Sequence, residues 1–303
     1  MKRRFIYAQG MELPLDSLRT LAAAIDAGTL ERAAAQLRIT PSAVSQRIRA
    51  LEQRVGRVVL QRSKPVRATE AGEPLVRLAR QLALLEHEAL RELGDESPAP
   101  RIALAVNADS LITWFMPVLA SVTAERAVTF ALHREDQERT AQLLARGTVM
   151  GAVTAQRQPV AGCVASPLGR MRYVAMAERR FAERWFADGL TREALESAPI
   201  VDFDPHDSLQ SQFARRHGAR RDAPRHVISA SAEFAQAVSL GLGWGLLLPG
   251  QFEAGLADGS LVQLGQDAVE VPLWWQRWNL ASPLLDLVTD AVHEAARASP
   301  ALI

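Results

Sequence analysis

Six residues at the end of the first third of the chain, Asp95-Glu-Ser-Pro-Ala-Pro100, constrain its fold more than any other feature. Their prolines and small polar residues stop a helical pattern, because proline cannot donate a backbone hydrogen bond and clashes with the preceding turn. An apolar, β-rich run, 102–106, follows at once. We therefore expect a domain boundary near residue 95, with differently built units on its two sides.

The part after this boundary alternates β-like runs with helical stretches, which is typical of parallel α/β construction. The β-like runs are 102–106, 127–132, 149–153, 171–176, 199–203, 245–248 and 269–275. With 303 residues, of which 48% are hydrophobic and 23% charged, the chain can bury at least two cores of ordinary size.

The part before the boundary reads as three short helices. Apolar residues between positions 15 and 25 recur at helical spacing and stop at Gly28. Thr29 is placed to cap a second helix, 30–37, and Thr40-Pro41 caps and opens a third. Helix, short helix, turn and helix is the order of a helix-turn-helix.

The third helix has two unlike faces. Its inward face is apolar and consists of Val44, Ile48, Leu51 and Val55. Its outward face is short, polar and basic and consists of Ser42, Ser45, Gln46 and Arg49. Gln and Arg can bond base edges in a major groove, and Ser can bond bases or phosphates. Residues 32–67 carry nine basic groups and one acidic group, a net charge of +8 in a chain whose total is +1. A solvated helix face is the alternative, but charge and helix order together favour DNA binding.

Two further elements follow Gly56. The short apolar runs 58–60 and 66–68 predict a β-wing whose tip, with Arg62 and Lys64, would contact phosphates. From Thr69 onward a heptad seam follows, formed by Leu75, Leu78, Leu82, Leu85 and Ala89. We favour dimerisation through this seam over packing within one domain, because a dimer can contact both half-sites of a DNA site, whereas a monomer contacts only one.

These N-terminal residues resemble the signature of the LysR-type transcriptional regulators. The match runs in order and spacing over residues 15–93 and includes Leu18, Leu21, Ala33-Ala-Ala35, Leu37, Thr40-Pro-Ser-Ala-Val-Ser-Gln46, Ile48, Leu51-Glu52, Gly56, Arg62 and Ala68-Thr-Glu-Ala-Gly72. Many members carry Phe where Val59 and Leu60 stand, so packing under the wing should differ. Met1–Gly10 has no counterpart, and we expect it to be an extension, while the choice between Met1 and Met11 as the start stays open.

The resemblance implies an α/β protein with an N-terminal all-α winged helix-turn-helix, a dimerising linker helix and a two-lobed effector domain like the periplasmic binding proteins. The expected bounds are 1–68 for the DNA-binding domain, 69–95 for the linker helix and 100–303 for the effector domain. The first lobe would take 100–161 and 268–303, and the second 162–267. Expected partners are double-stranded promoter DNA and a second copy of the chain, while a tetramer and contact with RNA polymerase stay open. The expected DNA-contacting residues are Thr40, Pro41, Ser42, Ser45, Gln46, Arg49, Arg62 and Lys64.

Motifs in the second part resemble the branch of this family that responds to lysine and arginine and controls basic amino-acid exporters. They are Val106-Asn-Ala-Asp-Ser110, Thr113-Trp114, Glu135-Asp136, Gly151-Ala-Val-Thr154, Met171-Arg-Tyr173, Phe203-Asp204 and Pro272-Leu-Trp-Trp-Gln276. The resemblance implies a regulator modulated by a small molecule, either lysine or arginine. A different small-molecule effector is the alternative.

The effector site can also be argued from chemistry. Ligands of open α/β domains collect at the carboxyl ends of strands and at the helix N-termini that follow them. The candidates at such places are Asn107, Asp109, Ser110, Asp136, Thr154, Asp204 and Glu233. Asp109 and Asp136 could each hold an ammonium group or merely cap a helix, since Asp and Ser are ordinary capping residues. Several carboxylates together favour a cationic amino acid.

Two other classes of function compete with this interpretation. An enzyme would need a Ser/His/Asp order, metal-ligand spacing or a phosphate loop, and the sequence offers none of these. An architectural DNA-binding protein without an effector would leave the α/β domain without a role. Cys163 suits a buried position at the crossover between lobes better than a redox sensor. We expect no catalytic residue, metal or cofactor, and a cytoplasmic protein, since neither an export signal nor a membrane-spanning run is present.

Overall fold

A computed structural model of the chain describes residues 13–94, 98–134, 137–204 and 208–303. The N-terminal domain begins with α1 (Leu15–Ala27), α2 (Leu30–Leu37) and α3 (Pro41–Val55). Gly28 ends α1 with a positive φ of 75°. The side-chain oxygens of Thr29 and Thr40 accept hydrogen bonds from backbone N–H groups in the first turns of α2 and α3, both at 3.2 Å. The N-caps of α2 and α3 and the glycine that ends α1 therefore form as the sequence predicts.

The wing is shorter than the sequence suggests. Strands β1 (Leu60–Gln61) and β2 (Arg67–Ala68) pair antiparallel, so the expectation of a strand over 58–60 is wrong for its first two residues. Other groups take the polar atoms of that segment: the Val59 N–H donates to the Glu52 carboxylate at 3.0 Å, and the Thr69 hydroxyl donates to the Val58 carbonyl at 2.7 Å. These bonds replace a longer ladder between the strands.

The helix α4 (Glu73–Glu92) leaves the wing and carries the heptad seam. Leu75, Leu78 and Leu82 pack against the core of the helix-turn-helix, whereas Leu85 and Ala89 are exposed. The opposite side of the helix faces the C-terminal domain, where Leu84 joins the hydrophobic core. One helix therefore contacts both domains and still presents apolar surface to solvent.

The C-terminal domain is built on a mixed sheet with the strand order β4-β3-β5-β10-β6-β9. Its strands are β3 (Arg101–Ala105), β4 (Thr129–His133), β5 (Gly151–Thr154), β6 (Cys163–Glu178), β9 (Gly245–Leu247) and β10 (Leu261–Trp278). A second, parallel pair consists of β7 (Ile200–Asp202) and β8 (Arg225–Val227). The parallel arrangement expected for the whole domain is therefore wrong for β10, which runs antiparallel to both β5 and β6, and for β9, which runs antiparallel to β6.

The two longest strands explain why β10 runs antiparallel to β5 and β6. β6 has 16 residues and β10 has 18, and they pair along most of their length. Each passes from one half of the domain to the other, so the sheet continues through two α/β lobes. Because the chain crosses once in each direction, the two crossing strands must run antiparallel.

Helices cover these sheets. They are α5 (Ala108–Ser110), α6 (Met116–Glu125), α7 (Gln137–Ala145), α8 (Arg179–Trp185), α9 (Arg192–Ser197), α10 (Leu209–Arg216), α11 (Ser231–Ser239), α12 (Glu253–Asp258) and α13 (Pro283–Ala298). A π-helical turn, Leu111–Phe115, joins α5 to α6. Trp275 and Trp278 are buried in the core, whereas Trp274 is half-buried beneath the guanidinium of Arg157.

Candidate functional site

The first candidate site is the outward face of α3. Thr40, Pro41, Ser42, Gln46 and Arg49 are exposed, and Ser45 is half-buried. Val44, Ile48 and Leu51 are buried against the other helices, which fixes the polar face toward solvent. Besides capping the helix, the Thr40 hydroxyl lies 2.9 Å from that of Ser42. Both hydroxyls therefore stand at the helix N-terminus, where the backbone favours a phosphate.

The wing presents a second basic surface. Arg62 and Lys64 are exposed at its tip. The base of the wing is tied to the end of α1 by a hydrogen bond from the Val66 N–H to the Gly28 carbonyl at 2.9 Å. The tip therefore has a fixed anchor beside the helix-turn-helix, and its two cations suit contacts with phosphates.

The second candidate site lies where β3 meets α5. The Asn107 side chain accepts a hydrogen bond from the Ser110 N–H at 3.2 Å and thereby caps the helix. The hydroxyl of Ser110 is fully buried and has no hydrogen-bond partner among the described residues. The π-helical turn 111–115 begins directly after it, a feature that occurs frequently at functional sites.

Asp109 connects this junction to two distant parts of the chain. Its carboxylate accepts a hydrogen bond from the Tyr173 hydroxyl at 2.8 Å and one from the Ser231 hydroxyl at 3.2 Å. Tyr173 lies on β6 and Ser231 is the first residue of α11. Asn107 serves as the cap of α5, so these longer-range contacts distinguish Asp109 from an ordinary capping residue.

The remaining expected effector residues have varied positions. Thr154 ends β5, is buried, and accepts a hydrogen bond from the Gln156 N–H at 3.1 Å. Asp204 is half-buried just beyond β7, and Glu233 is exposed in the first turn of α11, two residues after Ser231. Asp136 lies outside the described residues.

Tyr173 and Ser231 are not among the site residues predicted from the sequence, although Tyr173 ends the motif Met171-Arg-Tyr173 and Ser231 lies two residues before Glu233. A second omission is Asp202, whose buried carboxylate pairs with the Arg225 guanidinium and so joins β7 to β8. Arg225 also donates to the Ser211 hydroxyl at 2.8 Å. The strand β8 that carries Arg225 is short and mostly exposed, so the sequence gives no hydrophobic signal for it.

Cys163 lies at the start of β6 and is half-buried. Burial raises the pKa of its thiol to about 11, and the nearby Arg77 offsets this only in part. Because the thiolate is the reactive form, this environment suits a packing residue rather than a redox sensor.

Two properties hold across the described ranges. None of their helices is long and apolar enough to cross a membrane. No group of three or more His, Cys, Asp or Glu side chains within those ranges is arranged to hold a metal ion.

The architecture defines a class of protein in which a winged helix-turn-helix is joined by a long helix to a two-lobed ligand-binding domain. Two family models match: a bacterial regulatory helix-turn-helix protein of the lysR family at residues 15–73, and a LysR substrate binding domain at residues 95–297. The chain belongs to the LysR family of bacterial transcriptional regulators, and the fold expected from the resemblance is confirmed.

Individual relatives are similar over nearly the whole chain. The HTH-type transcriptional regulator LysG of Mycobacterium tuberculosis is 45% identical over 282 residues, which is 92% of each chain. The lysine export transcriptional regulatory protein LysG of Corynebacterium efficiens is 46% identical over 94% of this chain and 97% of its own.

Solved structures agree with this assignment. The crystal structure of ArgP from Mycobacterium tuberculosis has a TM-score of 0.85 and 45% identity, covering 93% of this chain and 97% of its own. Full-length LysG from Corynebacterium glutamicum with bound effector Arg has a TM-score of 0.80 and 40% identity, covering 94% of this chain and 99% of its own.

Proposed function

We propose that this regulator binds lysine or arginine and controls transcription of an amino-acid exporter gene. The observation that carries the proposal is its similarity to LysG of Corynebacterium glutamicum with bound Arg, at 40% identity over 94% of this chain. The LysG of Corynebacterium efficiens, named for lysine export, supports the choice of target gene.

The effector would bind between the lobes, at the junction of β3 and α5. The proposed contacts are Asn107, Asp109, Ser110, Asp136, Thr154, Asp204 and Glu233. The buried hydroxyl of Ser110 and the carboxylate of Asp109 support this position, because an amino acid with a cationic side chain needs both donors and acceptors.

DNA would be read by α3 and the wing, through Thr40, Pro41, Ser42, Ser45, Gln46, Arg49, Arg62 and Lys64. We place the DNA-binding domain at 1–68, the linker helix at 69–95 and the effector domain at 100–303, with a first lobe of 100–161 and 268–303 and a second of 162–267. The α4 seam would pair two copies. An apolar groove of about 340 Å³ between α1 and α4, which includes Leu15, Leu82 and Leu85 in its lining, supports this.

The protein would act in the cytoplasm and by binding alone. One serine–histidine contact is present, in which the Ser166 hydroxyl lies 2.7 Å from Nε2 of His293. Ser166 lies on a crossover strand and His293 on the helix α13 packed against it, which suits a structural bond between them.

Thermal unfolding with each common amino acid tests the effector directly. A ligand that binds only the folded state raises its stability by RT ln(1 + [L]/Kd), about 2.7 kcal/mol at a hundredfold excess over Kd. We expect a shift with lysine or arginine and none with glutamate. A shift with another amino acid would replace the effector, and no shift with any would favour an architectural, effector-free role.

A further inference from the structure

We propose that Asp109, Tyr173 and Ser231 form a latch that holds the two lobes of the effector domain closed around the effector. The proposal rests on the proposed function for the identity of the ligand, whereas the latch consists only of side chains of the protein itself. Tyr173 and Ser231 would be positioning residues, acting on the effector through lobe closure and through the carboxylate of Asp109.

The latch joins three elements that are distant in sequence. Asp109 belongs to the start of the helical segment that follows β3 in the first lobe. Ser231 opens α11 in the second lobe, 122 residues later, and donates to Oδ1 of Asp109. Tyr173 stands on the crossing strand β6 and donates to Oδ2 of the same carboxylate. One side chain therefore contacts both lobes and the strand between them.

The two donors of the contact are buried, and the carboxylate of Asp109 is half-buried. Tyr173 is 6% exposed and Ser231 is 8% exposed. A hydrogen bond to an ionised carboxylate is stronger than one between neutral groups, so both bonds favour the closed arrangement of the lobes. Opening the lobes would therefore break two hydrogen bonds unless water could enter to replace them.

Both ends of the latch are also fixed within their own lobes. The Asp109 carbonyl accepts a hydrogen bond from the Thr113 hydroxyl at 2.6 Å, and Asn107 caps the same helix. On the other side, the Ser231 carbonyl accepts a bond from the Gln251 side-chain amide at 3.4 Å. Because each partner is held by its own lobe, the bond between them reports the distance between the lobes.

This arrangement has a consequence for affinity. An effector that contacts both lobes binds only when they are closed, so its apparent dissociation constant rises as the closed fraction falls. Removal of either hydroxyl should open part of the population. We expect roughly tenfold weaker binding, the size expected for the loss of one hydrogen bond to a charged group.

The experiment compares Tyr173→Phe and Ser231→Ala with Ser239→Ala in the full chain. Ser239 lies on the same helix as Ser231, but its hydroxyl bonds only to the Ala235 carbonyl of that helix. Hydrogen exchange without ligand is measured over residues 108–115 and 231–236, and arginine and lysine are titrated by calorimetry. We expect faster exchange in both segments and about tenfold weaker binding for the first two variants, and no change for Ser239→Ala.

Each outcome has one meaning. Faster exchange in only one of the two segments, or unchanged exchange in both variants, would overturn the latch whether or not the ligand binds. Faster exchange in both segments with unchanged affinity would overturn its role in binding. If wild type bound neither amino acid, the proposed function would fail, and the exchange measurement alone would still decide whether the latch exists.

Discussion

Nη1 of Arg80, in the linker helix, donates a hydrogen bond of 2.6 Å to the carbonyl of Gly147 in the effector domain. The other terminal nitrogen of Arg80 pairs with Asp26 of α1. A single guanidinium therefore ties the helix-turn-helix to the effector domain. Arg77, one turn earlier, donates to the carbonyls of Ala145 and Ala161 at 3.3 and 3.1 Å.

The far end of the same helix is held as well. Glu88 accepts hydrogen bonds from the Ser282 hydroxyl at 2.7 Å and from the Leu284 N–H at 3.0 Å, at the start of α13. Because α4 is bound at both ends to the effector domain, a movement of that domain would also move the helix-turn-helix domain.

Substitution of Gly147 should loosen this docking. The residue has a φ of +68°, and a methyl group there would lie 2.6 Å from Cα and Cβ of Arg77. We expect Gly147→Ala to lower the free energy of unfolding by roughly 2 kcal/mol, because the new methyl group adds backbone strain and overpacking. Calorimetric unfolding should show a lower melting temperature and separate transitions for the two domains.

Gly189→Ala provides the control, since Gly189 also has a positive φ but no atom stands where its Cβ would lie. It carries the backbone strain without the clash. Equal losses of stability in the two variants would show that the close approach to Arg77 does not matter.

Arg49→Ala should strongly weaken specific DNA binding and leave effector binding intact. Arg49 is exposed on α3, and a lost contact to a base edge costs about 1–3 kcal/mol. Fluorescence anisotropy with labelled DNA and calorimetry with arginine measure the two affinities separately.

Arg62→Ala in the wing gives a useful contrast, because a phosphate contact carries no sequence information. It should weaken specific and non-specific DNA alike and lower the salt-dependence slope by about one. Unchanged DNA affinity in Arg49→Ala would show that α3 is oriented differently on the DNA.

Leu85→Glu should shift the protein toward monomers. Leu85 is 36% exposed, belongs to the heptad seam and lines the groove between α1 and α4. Burying a carboxylate in a helix pair is unfavourable, so sedimentation at micromolar concentration should show a smaller species. Leu85→Met keeps the apolar surface and should stay associated. An unaltered assembly in Leu85→Glu would place the interface elsewhere.

Acidification should destabilise the protein through His293. Burial, followed by the charge of Arg297, lowers the pKa of this imidazole below its usual value of 6.5. The unfolded chain therefore binds the proton more readily, so stability is full above about pH 6.5 and falls as the pH drops toward the folded pKa. Denaturant unfolding between pH 5 and 8 should show a smaller loss in His293→Gln.

His226→Gln serves as the control, because His226 is exposed on β8. The same pH dependence of stability in wild type and His293→Gln would show that His293 does not cause the loss of stability at low pH.

Much of the N-terminal domain is predictable because its determinants are local. Thr29, Thr40 and Gly28 each act within a few residues, on the first or last turn of a helix. The exposed face of α3 follows from its periodicity alone. The wing could be predicted only in outline, because Glu52 bonds to Val59 and Thr69 to Val58, at separations of 7 and 11 residues.

The effector domain was harder to predict because its determinants are distant in sequence. Apolar runs mark only parts of β6 and β10, whose full length depends on their pairing across the lobes. From the sequence alone, Asp109 can be interpreted either as a helix cap or as a ligand for an ammonium group. Its bonds to Tyr173 and Ser231 span 64 and 122 residues and become visible only in the folded chain.

The most direct test of the account is the affinity of the full chain for genomic fragments that it selects in vitro, measured with and without arginine or lysine. Effector and DNA bind the same folded molecule, so any coupling between them must change both affinities by the same factor. We predict a change of about fivefold or more with a basic amino acid and none with glutamate. An affinity that no amino acid alters would contradict the claim that this regulator senses one.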